Sequence, residues 1–457
     1  MKPLSHHLCI IALATGLALL FFAYPAPAQL LPSSPLDDMI GRPIGDPLLE
    51  DRLDGAVAPL DEALTEAEDE ARGAVEKTTA AVPTAAQQVA ATALGSLRPF
   101  VAGVDPLGHA IEEDVLMMLI EPAALSRLRQ SGWAVTDARP LPSLGFVLVR
   151  ITGPAARSLA EAAGNLRAEF PDAAVDYNFL YRLADAAGAA SEGGDSVASE
   201  PGSPGAHVRI GLIDSAVAAR HPALADVNVI RRDFAPHEGE RPLGHGTAVA
   251  SILAANSGDD AEILAASVFF RKPGFAPGAT TESLVAALDW LAGSDVDVIN
   301  MSLAGPADAL LERALASIAA DGPVVVAAVG NNGPAGEPLY PAAYESVVGV
   351  TAVDRERRIF PYANRGQQVA FAAPGVNVKV ANSLGGFRFE SGTSMASPHV
   401  AAVIAAALYG SGLPKEALLE SLKATAVDLG DEGFDPVFGY GLVQPQRNQN
   451  AAASLAE

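Results

Sequence analysis

The second half of this 457-residue chain is predicted to form an α/β domain, a parallel sheet covered by helices on both sides. Near-continuous apolar runs of strand length recur along it, which is typical of strands buried on both faces. Segments with helical spacing fall between these runs and predict crossover helices. The predicted strands are Val208–Ile213, Ile263–Phe269, Val296–Met301, Val324–Ala328 and Val347–Val350, and the predicted helices are His245–Ala254, Thr281–Ala292, Ala307–Ala320 and Ser394–Ala407.

A smaller α+β domain is predicted before it, between about residues 98 and 187. Apolar runs and helical segments alternate there in the order βαββαβ, which is a ferredoxin-like pattern. The first helix ends at Gly132, a usual helix stop, and the last strand alternates apolar and polar residues. The segments are Asp114–Ile120, Pro122–Ser131, Trp133–Thr136, Gly145–Ile151, Ala155–Glu169 and Ala174–Tyr181.

The first 28 residues have the pattern of a signal peptide. Lys2 precedes an almost wholly apolar run from Leu8 to Ala23, and Ala26-Pro27-Ala28 offers a small-residue cleavage site. The run is short for a membrane span, and an uncleaved anchor is the alternative. The single cysteine, Cys9, lies in this segment, so the mature protein would have no disulfide. We expect a secreted or periplasmic protein that has no membrane contact after signal cleavage.

Two further segments have compositions that do not favour a packed core. Residues 29–97 are Pro-rich and then acidic and Ala-rich, which predicts a partly exposed amphipathic helix. Residues 188–206 are rich in Gly, Ser, Ala and Glu without periodicity, which is typical of a flexible linker before an α/β domain at 207–448. The formal net charge of −24 at pH 7 argues against nucleic acid as a partner, because phosphate would be repelled.

Three segments of the α/β domain carry the residue types of a nucleophilic serine site. Asp214 ends an apolar strand, His245 opens a helix, and Ser394 stands where a loop enters a small-residue helix. A serine hydroxyl is a poor nucleophile until a base takes its proton, and an imidazole is a well-placed base when a carboxylate orients it. Each residue also has a structural alternative: a turn residue, an ordinary helix start and a helix N-cap, respectively.

The chain order Asp, His, Ser and the surrounding sequence resemble the subtilisin-like (subtilase) serine peptidases. The resemblance runs from about residue 207 to about residue 447, and it is specific because several segments recur in order. These segments are Ile210–Ser215, His245–Ser251, Val298–Leu303, Val324–Asn331, Phe371–Gly375, Ser391–Ala401 and Phe438–Val443.

This resemblance implies an enzyme, a serine endopeptidase that hydrolyses peptide bonds in protein or peptide substrates. Ser394 would attack the carbonyl, His245 would accept and return the proton, and Asp214 would hold the imidazolium. The side chain of Asn331 and the backbone N–H of Ser394 would form the oxyanion hole. By itself, the Gly-Asn-Asn-Gly run around Asn331 is equally typical of a turn.

The resemblance also implies a set of substrate-binding residues. They are Ser302, Leu303, Ala304, Ala328, Val329, Gly330 and Leu339. The family usually has a glycine at the position of Ala304 and often a small residue at that of Leu339. We therefore expect a narrowed pocket that prefers small or medium apolar side chains next to the bond that is cut.

Neither a cofactor nor a metal is required by this chemistry. The calcium-binding loop of many relatives is missing. Asp259 and Asp260 indicate a solvated acidic turn, because calcium takes six to eight oxygens from a shaped loop; a weak calcium contact is the alternative. Residues 98–187 stand where the family carries its propeptide, which assists folding and inhibits the site until cleavage. An unrelated α+β module is the alternative for these residues.

Two rival functions come from other classes. A pseudopeptidase or binding module is disfavoured because Asp214, His245, Ser394 and Asn331 are all present. A lipase or esterase is disfavoured because Gly-Thr-Ser-Met-Ala lacks the second glycine of the hydrolase elbow and because the chain order differs. We expect an exported peptidase made as a self-inhibited proenzyme.

Overall fold

The structure is a computed structural model that describes residues 102–152, 158–183, 208–235, 240–258, 261–271 and 277–443. The predicted signal peptide, the acidic segment 29–97, the linker 188–206 and the pair Asp259 and Asp260 lie outside the described residues.

Residues 102–183 form the predicted α+β arrangement. The strands and helices are β1 (Ala102–Val104), β2 (Ala110–Ile120), α1 (Leu125–Gln130), β3 (Val135–Leu141), β4 (Phe146–Thr152), α2 (Leu159–Glu169) and β5 (Ala174–Leu183). The four longer strands run antiparallel in the order β3-β4-β2-β5, with β1 paired to β2. A capping box starts α2, because Ser158 accepts from the N–H of Glu161 and the Glu161 carboxylate accepts from the N–H of Ser158.

A seven-stranded sheet, parallel throughout, forms the centre of the second half. Its strands are β6 (Val208–Asp214), β7 (Asn228–Asp233), β8 (Ala261–Ser267), β11 (Val298–Met301), β13 (Val324–Ala328), β14 (Val347–Val353) and β15 (Phe371–Pro374). They lie in the order β15-β14-β13-β11-β6-β8-β7. The inner strands are almost wholly buried, as their apolar runs predict.

Helices and short strands complete the described chain. They are α3 (Gly244–Ser257), β9 (Phe269–Phe270), β10 (Gly278–Thr280), α4 (Thr281–Ala292), β12 (Leu303–Ala304), α5 (Ala309–Ile318), β16 (Val378–Ala381), β17 (Phe387–Glu390), α6 (Thr393–Ser411) and α7 (Lys415–Thr425). The strands β9, β10 and β12 join the first sheet through β5, which makes it eight-stranded. The predicted fold class, an α/β parallel sheet with helices preceded by an α+β region, is confirmed.

Several predicted boundaries are wrong, for local reasons. The third predicted segment, Trp133–Thr136, forms a strand from Val135 to Leu141; Pro140 is tolerated there because β3 is an edge strand. Helix α5 starts two residues late, at Ala309, because the side chain of Asp308 caps it. The edge strand β15 lies in the segment Phe371–Gly375, for which no strand is predicted.

The α+β region packs on α4 and α5 with a common hydrophobic core. Buried side chains of β2, β4 and β5 belong to the same apolar cluster as Leu284, Leu288 and Leu311. Polar contacts surround this core: Arg150 Nη1 donates to Glu282 Oε2 at 2.8 Å. The two halves of the chain therefore share one core at this contact.

Within the described ranges no single helix is long and apolar enough to cross a membrane. Helices α6 and α7 meet that test only when taken together across a 119° bend.

The buried face of α6 should dominate the stability of the second half. Ile404 is fully buried, so Ile404→Ala should lower the free energy of unfolding by about 2–5 kcal/mol, because it leaves a cavity. Urea-unfolding midpoints in a Ser394→Ala background, which prevents self-digestion, would measure this. The control Leu384→Ala changes a side chain that is 78% exposed and should cost less than about 0.5 kcal/mol. Equal losses in the two variants would contradict the packing described.

Candidate active site

Asp214 and His245 form a buried pair at the carboxyl edge of the parallel sheet. Asp214 ends β6, and its Oδ1 accepts from Nδ1 of His245 at 2.7 Å and from the backbone N–H of Ser215 at 2.6 Å. A carboxylate can only accept, so Nδ1 of His245 carries the proton. In the neutral ring Nε2 is therefore the basic nitrogen, and the tautomer is fixed by the end of the strand.

Helix α3 brings His245 close to β6 because Gly246 has no side chain. A Cβ at Gly246 would lie 2.2 Å from the backbone oxygen of Ser215. The N–H of Gly246 donates to Ser215 Oγ at 2.7 Å, and the N–H of Ala218 donates to Thr247 Oγ1 at 2.9 Å. These contacts hold the first turn of α3 against the loop that follows Asp214.

Ser394 lies fully buried in the first turn of α6. Its backbone oxygen accepts from Ser302 Oγ at 3.0 Å, and Ser302 Oγ lies 2.9 Å from Ser397 Oγ. Asn300 Nδ2 donates to the same Ser302 hydroxyl at 2.9 Å. The start of α6 is thus tied to the end of β11 by side-chain hydrogen bonds.

Asn331 is held by the residue that precedes Ser394. Its Oδ1 accepts from the backbone N–H of Thr393 at 3.1 Å and from the Thr393 hydroxyl at 3.0 Å. The Thr393 hydroxyl in turn accepts from the N–H of Gly330 at 3.2 Å. Because two donors orient Oδ1, the amide nitrogen of Asn331 occupies the opposite side of the carboxamide.

Two short strands beside this cluster hold a third strand between them. In β12, Leu303 and Ala304 pair antiparallel with Leu183 and Arg182, the last two residues of β5. Strand β10 pairs antiparallel with the other edge of β5. The end of β5 is therefore hydrogen-bonded along both edges, in the manner of a peptide added to an open sheet.

The predicted substrate-binding residues Ser302, Leu303 and Ala304 follow β11, and they differ in which group faces β5. Leu303 and Ala304 contact β5 through their backbones. The side chain of Ser302 points into the protein and contacts Ser394 and Ser397 of α6. It therefore positions the start of α6 through hydrogen bonds.

The predicted residues around β13 lie on the Asn331 side. Ala328 and Val329 are buried, and each is hydrogen-bonded or paired to β14. Gly330 has a φ of +99°, and a Cβ there would lie 2.5 Å from Leu339 Cδ1. Leu339 thus packs directly on the backbone of Gly330, the residue before Asn331.

Some residues of the site escape sequence reasoning. Thr393 orients Asn331, but in the sequence it is one small residue within a Gly-Thr-Ser run. Ala279 pairs with β5, although its short segment has no strand periodicity. Asp308 is buried next to the hydroxyl of Tyr181 in β5. In the sequence it is an acidic residue directly before a helical segment, which is typical of an N-cap and indicates no binding role.

The electrostatics near Ser394 are simple. Burial lowers the pKa of His399 to about 4, so this ring on α6 is neutral at pH 7. Among the residues that the structure describes, no group of three or more His, Cys, Asp or Glu side chains is placed to hold a metal ion.

Comparison with known proteins identifies the family. The model of the Subtilase family (Peptidase_S8) matches residues 205–441, about half of the chain. Subtilisin DY from Bacillus licheniformis is 36% identical over 263 residues, which are 55% of this chain and 93% of that protein. The chain belongs to the subtilase family of serine peptidases and is a serine endopeptidase.

Other relatives match over the same part of the chain. The minor extracellular protease Epr from Bacillus subtilis is 33% identical over 264 residues, which are 56% of this chain and 40% of that protein. Among solved structures, a lanthipeptide protease superposes with a TM-score of 0.46 at 25% identity, over 55% of this chain and 88% of that chain.

The close approach of α3 to β6 gives a test at Gly246. In Gly246→Ala the methyl group would meet backbone atoms of Ser215, which cannot move aside cheaply, and His245 would shift relative to Asp214. We expect a stability loss of about 1–3 kcal/mol and a loss of about 10² in kcat, from overpacking and misplacement respectively. Urea unfolding and hydrolysis of a chromogenic peptide would measure the two effects.

A second glycine provides the matched control. Gly410 lies in α6 with nothing within 4 Å of an added Cβ. Gly410→Ala should raise stability by about 0.5–1 kcal/mol, because alanine loses less backbone entropy in a helix, and should leave kcat unchanged. Gly246→Ala with normal stability and activity would contradict the contact with Ser215.

Proposed function

We propose that this chain is an exported serine endopeptidase, made as a self-inhibited proenzyme, in which Asp214, His245 and Ser394 form the catalytic triad. The observation that carries the catalytic part is the buried hydrogen bond from His245 Nδ1 to Asp214 Oδ1. It leaves Nε2 as the base and provides the acceptor that an imidazolium needs during proton transfer.

In the proposed reaction Ser394 Oγ attacks the carbonyl carbon of the bond to be cut. His245 takes the hydroxyl proton as the bond forms and returns it to the leaving amine. An acyl group on Ser394 remains, and water then releases it through the same histidine. Asp214 keeps accepting from Nδ1 and so stabilises the charged ring.

The oxyanion of the tetrahedral intermediate would be bound by the Asn331 amide nitrogen and the backbone N–H of Ser394. Thr393 supports this role, because it holds Oδ1 of Asn331 with two hydrogen bonds and so fixes the direction of the amide. Ser394 lies in the first turn of α6, so the positive end of the helix dipole also favours a negative charge there. A donor pair fixed before the reaction costs no reorganisation when the charge develops.

The proenzyme part of the proposal rests on the position of β5. Residues 180–183 lie between β10 and β12, so a substrate strand cannot pair there at the same time. The α+β region thereby acts as an internal inhibitor until the chain is cut after β5. No cofactor is needed for the cut, and the substrates are proteins or peptides.

Two further features support export and a narrow pocket. Residues 1–28 have the signal-peptide pattern, and a relative is described as an extracellular protease. Ala304 in place of a glycine, together with Leu339 on Gly330, favours small or medium apolar side chains next to the cut bond.

Labelling and mass measurement together test the proposal. Protein produced without residues 1–28 should give a fluorophosphonate adduct on Ser394 and should lose the segment that precedes a cut between β5 and β6. Ser394→Ala should take up no label and should stay full length, because it cannot cut itself. Ser411→Ala, at the exposed end of the same helix, serves as the control and should behave like the wild type.

Two outcomes would contradict parts of this proposal. Normal processing of Ser394→Ala would show that another protease makes the cut. A full-length wild-type protein that stays unlabelled, even after brief treatment with trypsin, would show that the triad is inactive.

The oxyanion role predicts a specific kinetic defect. Asn331→Ala should lower kcat by about 10²–10³ with little change in KM, because the lost hydrogen bond forms in the transition state. Asn332→Ala is the matched control, since its side chain is exposed and lies one residue further along the loop. An equal fall in kcat in both variants, or a rise in KM with kcat unchanged, would speak against the donor role of Asn331.

A further inference from the structure

The described end of β5 shows how a peptide chain lies in the cleft. Leu183 is opposite Leu303, and Arg182 is opposite Ala304. A substrate peptide that continues this antiparallel register would place its next residue opposite Ser302. The hydroxyl of Ser302 donates to the backbone oxygen of Ser394, so that position is the one next to the nucleophile.

From this register, each residue of a bound peptide can be given a position counted from the bond that is cut. In a substrate that binds in this register, the residue opposite Ser302 would carry the attacked carbonyl. Leu183, Arg182 and Tyr181 then occupy the second, third and fourth positions upstream. Arg182 is exposed, whereas Tyr181 is fully buried, so the fourth position is where the protein encloses a side chain.

The pocket around Tyr181 has an apolar wall and a polar floor. The ring lies against Gly305, where a Cβ would come within 2.4 Å of a ring carbon, so the missing side chain makes the space. At the far end the Tyr181 hydroxyl reaches two acceptors, the backbone oxygen of Pro306 at 3.2 Å and Oδ2 of Asp308 at 3.3 Å.

Asp308 is a buried carboxylate that serves two purposes. Its Oδ1 accepts from the N–H groups of Leu310 and Leu311 and caps α5. Its Oδ2 accepts from the Thr281 hydroxyl and faces the Tyr181 hydroxyl. The cap accounts for Oδ1 alone, which leaves Oδ2 as a fixed acceptor in the floor of the pocket.

We propose that Asp308 is a specificity-determining residue that selects tyrosine at the fourth position upstream of the cut bond. This rests on the proposed peptidase function of the cleft. Phenylalanine would fill the same apolar space. It would, however, leave Oδ2 of Asp308 facing an apolar ring edge, away from water and without the hydroxyl as a partner. Burial raises the pKa of Asp308 to about 7, consistent with a site in which an unmatched charge is costly.

The test compares two chromogenic peptides that copy residues 181–184 and differ in one hydroxyl. They are acetyl-Tyr-Arg-Leu-Ala-p-nitroanilide and its Phe-Arg-Leu-Ala counterpart. The full chain is allowed to mature, and active sites are counted with the fluorophosphonate label. At alkaline pH, kcat/KM for the tyrosine peptide should be about 10- to 100-fold higher, the range for a hydrogen bond to a charged group.

Two variants separate the pocket floor from a general effect on folding. Asp308→Ser keeps a side-chain oxygen that can cap α5 but removes Oδ2, so the preference ratio should fall towards one. Asp289→Asn is the matched control, because Asp289 accepts from the N–H groups of Ser143 and Leu144 at the other end of α4 and should leave the ratio unchanged.

The outcomes distinguish this inference from the proposed function. A labelled enzyme that cuts both peptides equally well would overturn the role of Asp308 and leave the peptidase function standing. A protein that takes no label and cuts neither peptide would overturn both. If Asp308→Ser does not fold, the wild-type ratio of the two peptides alone decides the question.

Discussion

The position of Ser394 depends on burying the start of a helix. The first N–H groups of a helix have no partners within it, so a buried helix start needs partners from elsewhere. Here Oδ1 of Asn331 accepts from the N–H of Thr393 in the first turn of α6, and small side chains let the helix approach the sheet. The same hydrogen bond, together with that from the Thr393 hydroxyl, also fixes the amide of Asn331. Stability and the geometry of the site have one origin.

The two helix starts beneath β5 follow the same rule with partners from the α+β region. Asn178 Oδ1 accepts from the N–H of Glu282 at the start of α4, and Asp176 Oδ2 accepts from the N–H of Ala309 at the start of α5. Removing β5 would expose these donors again. The cleft and the region that fills it are therefore parts of a single hydrogen-bonding scheme.

How far sequence reasoning succeeds depends on whether the signal is local. Inner strands such as β13 are runs of five apolar residues and were predicted closely, because burial on both faces leaves no polar position. Asp214, His245 and Ser394 stand where one element ends or begins, so their meeting at one sheet edge could also be predicted. The edge strand β7 is not predicted, because Arg231 and Arg232 interrupt its apolar pattern. The contact of Tyr181 with Asp308 joins residues 127 positions apart and has no local signal at all.

The shared core between the α+β region and helices α4 and α5 has a consequence for the direction of activation. A small domain buries a modest share of its surface and is marginally stable by itself. Residues 102–183 have part of their apolar contacts on α4 and α5, and these contacts would be lost on separation. If these residues act as the inhibitor that we propose, a released segment would unfold and would then be digested by the enzyme. Release of the inhibitor would be irreversible, because a digested segment cannot bind again.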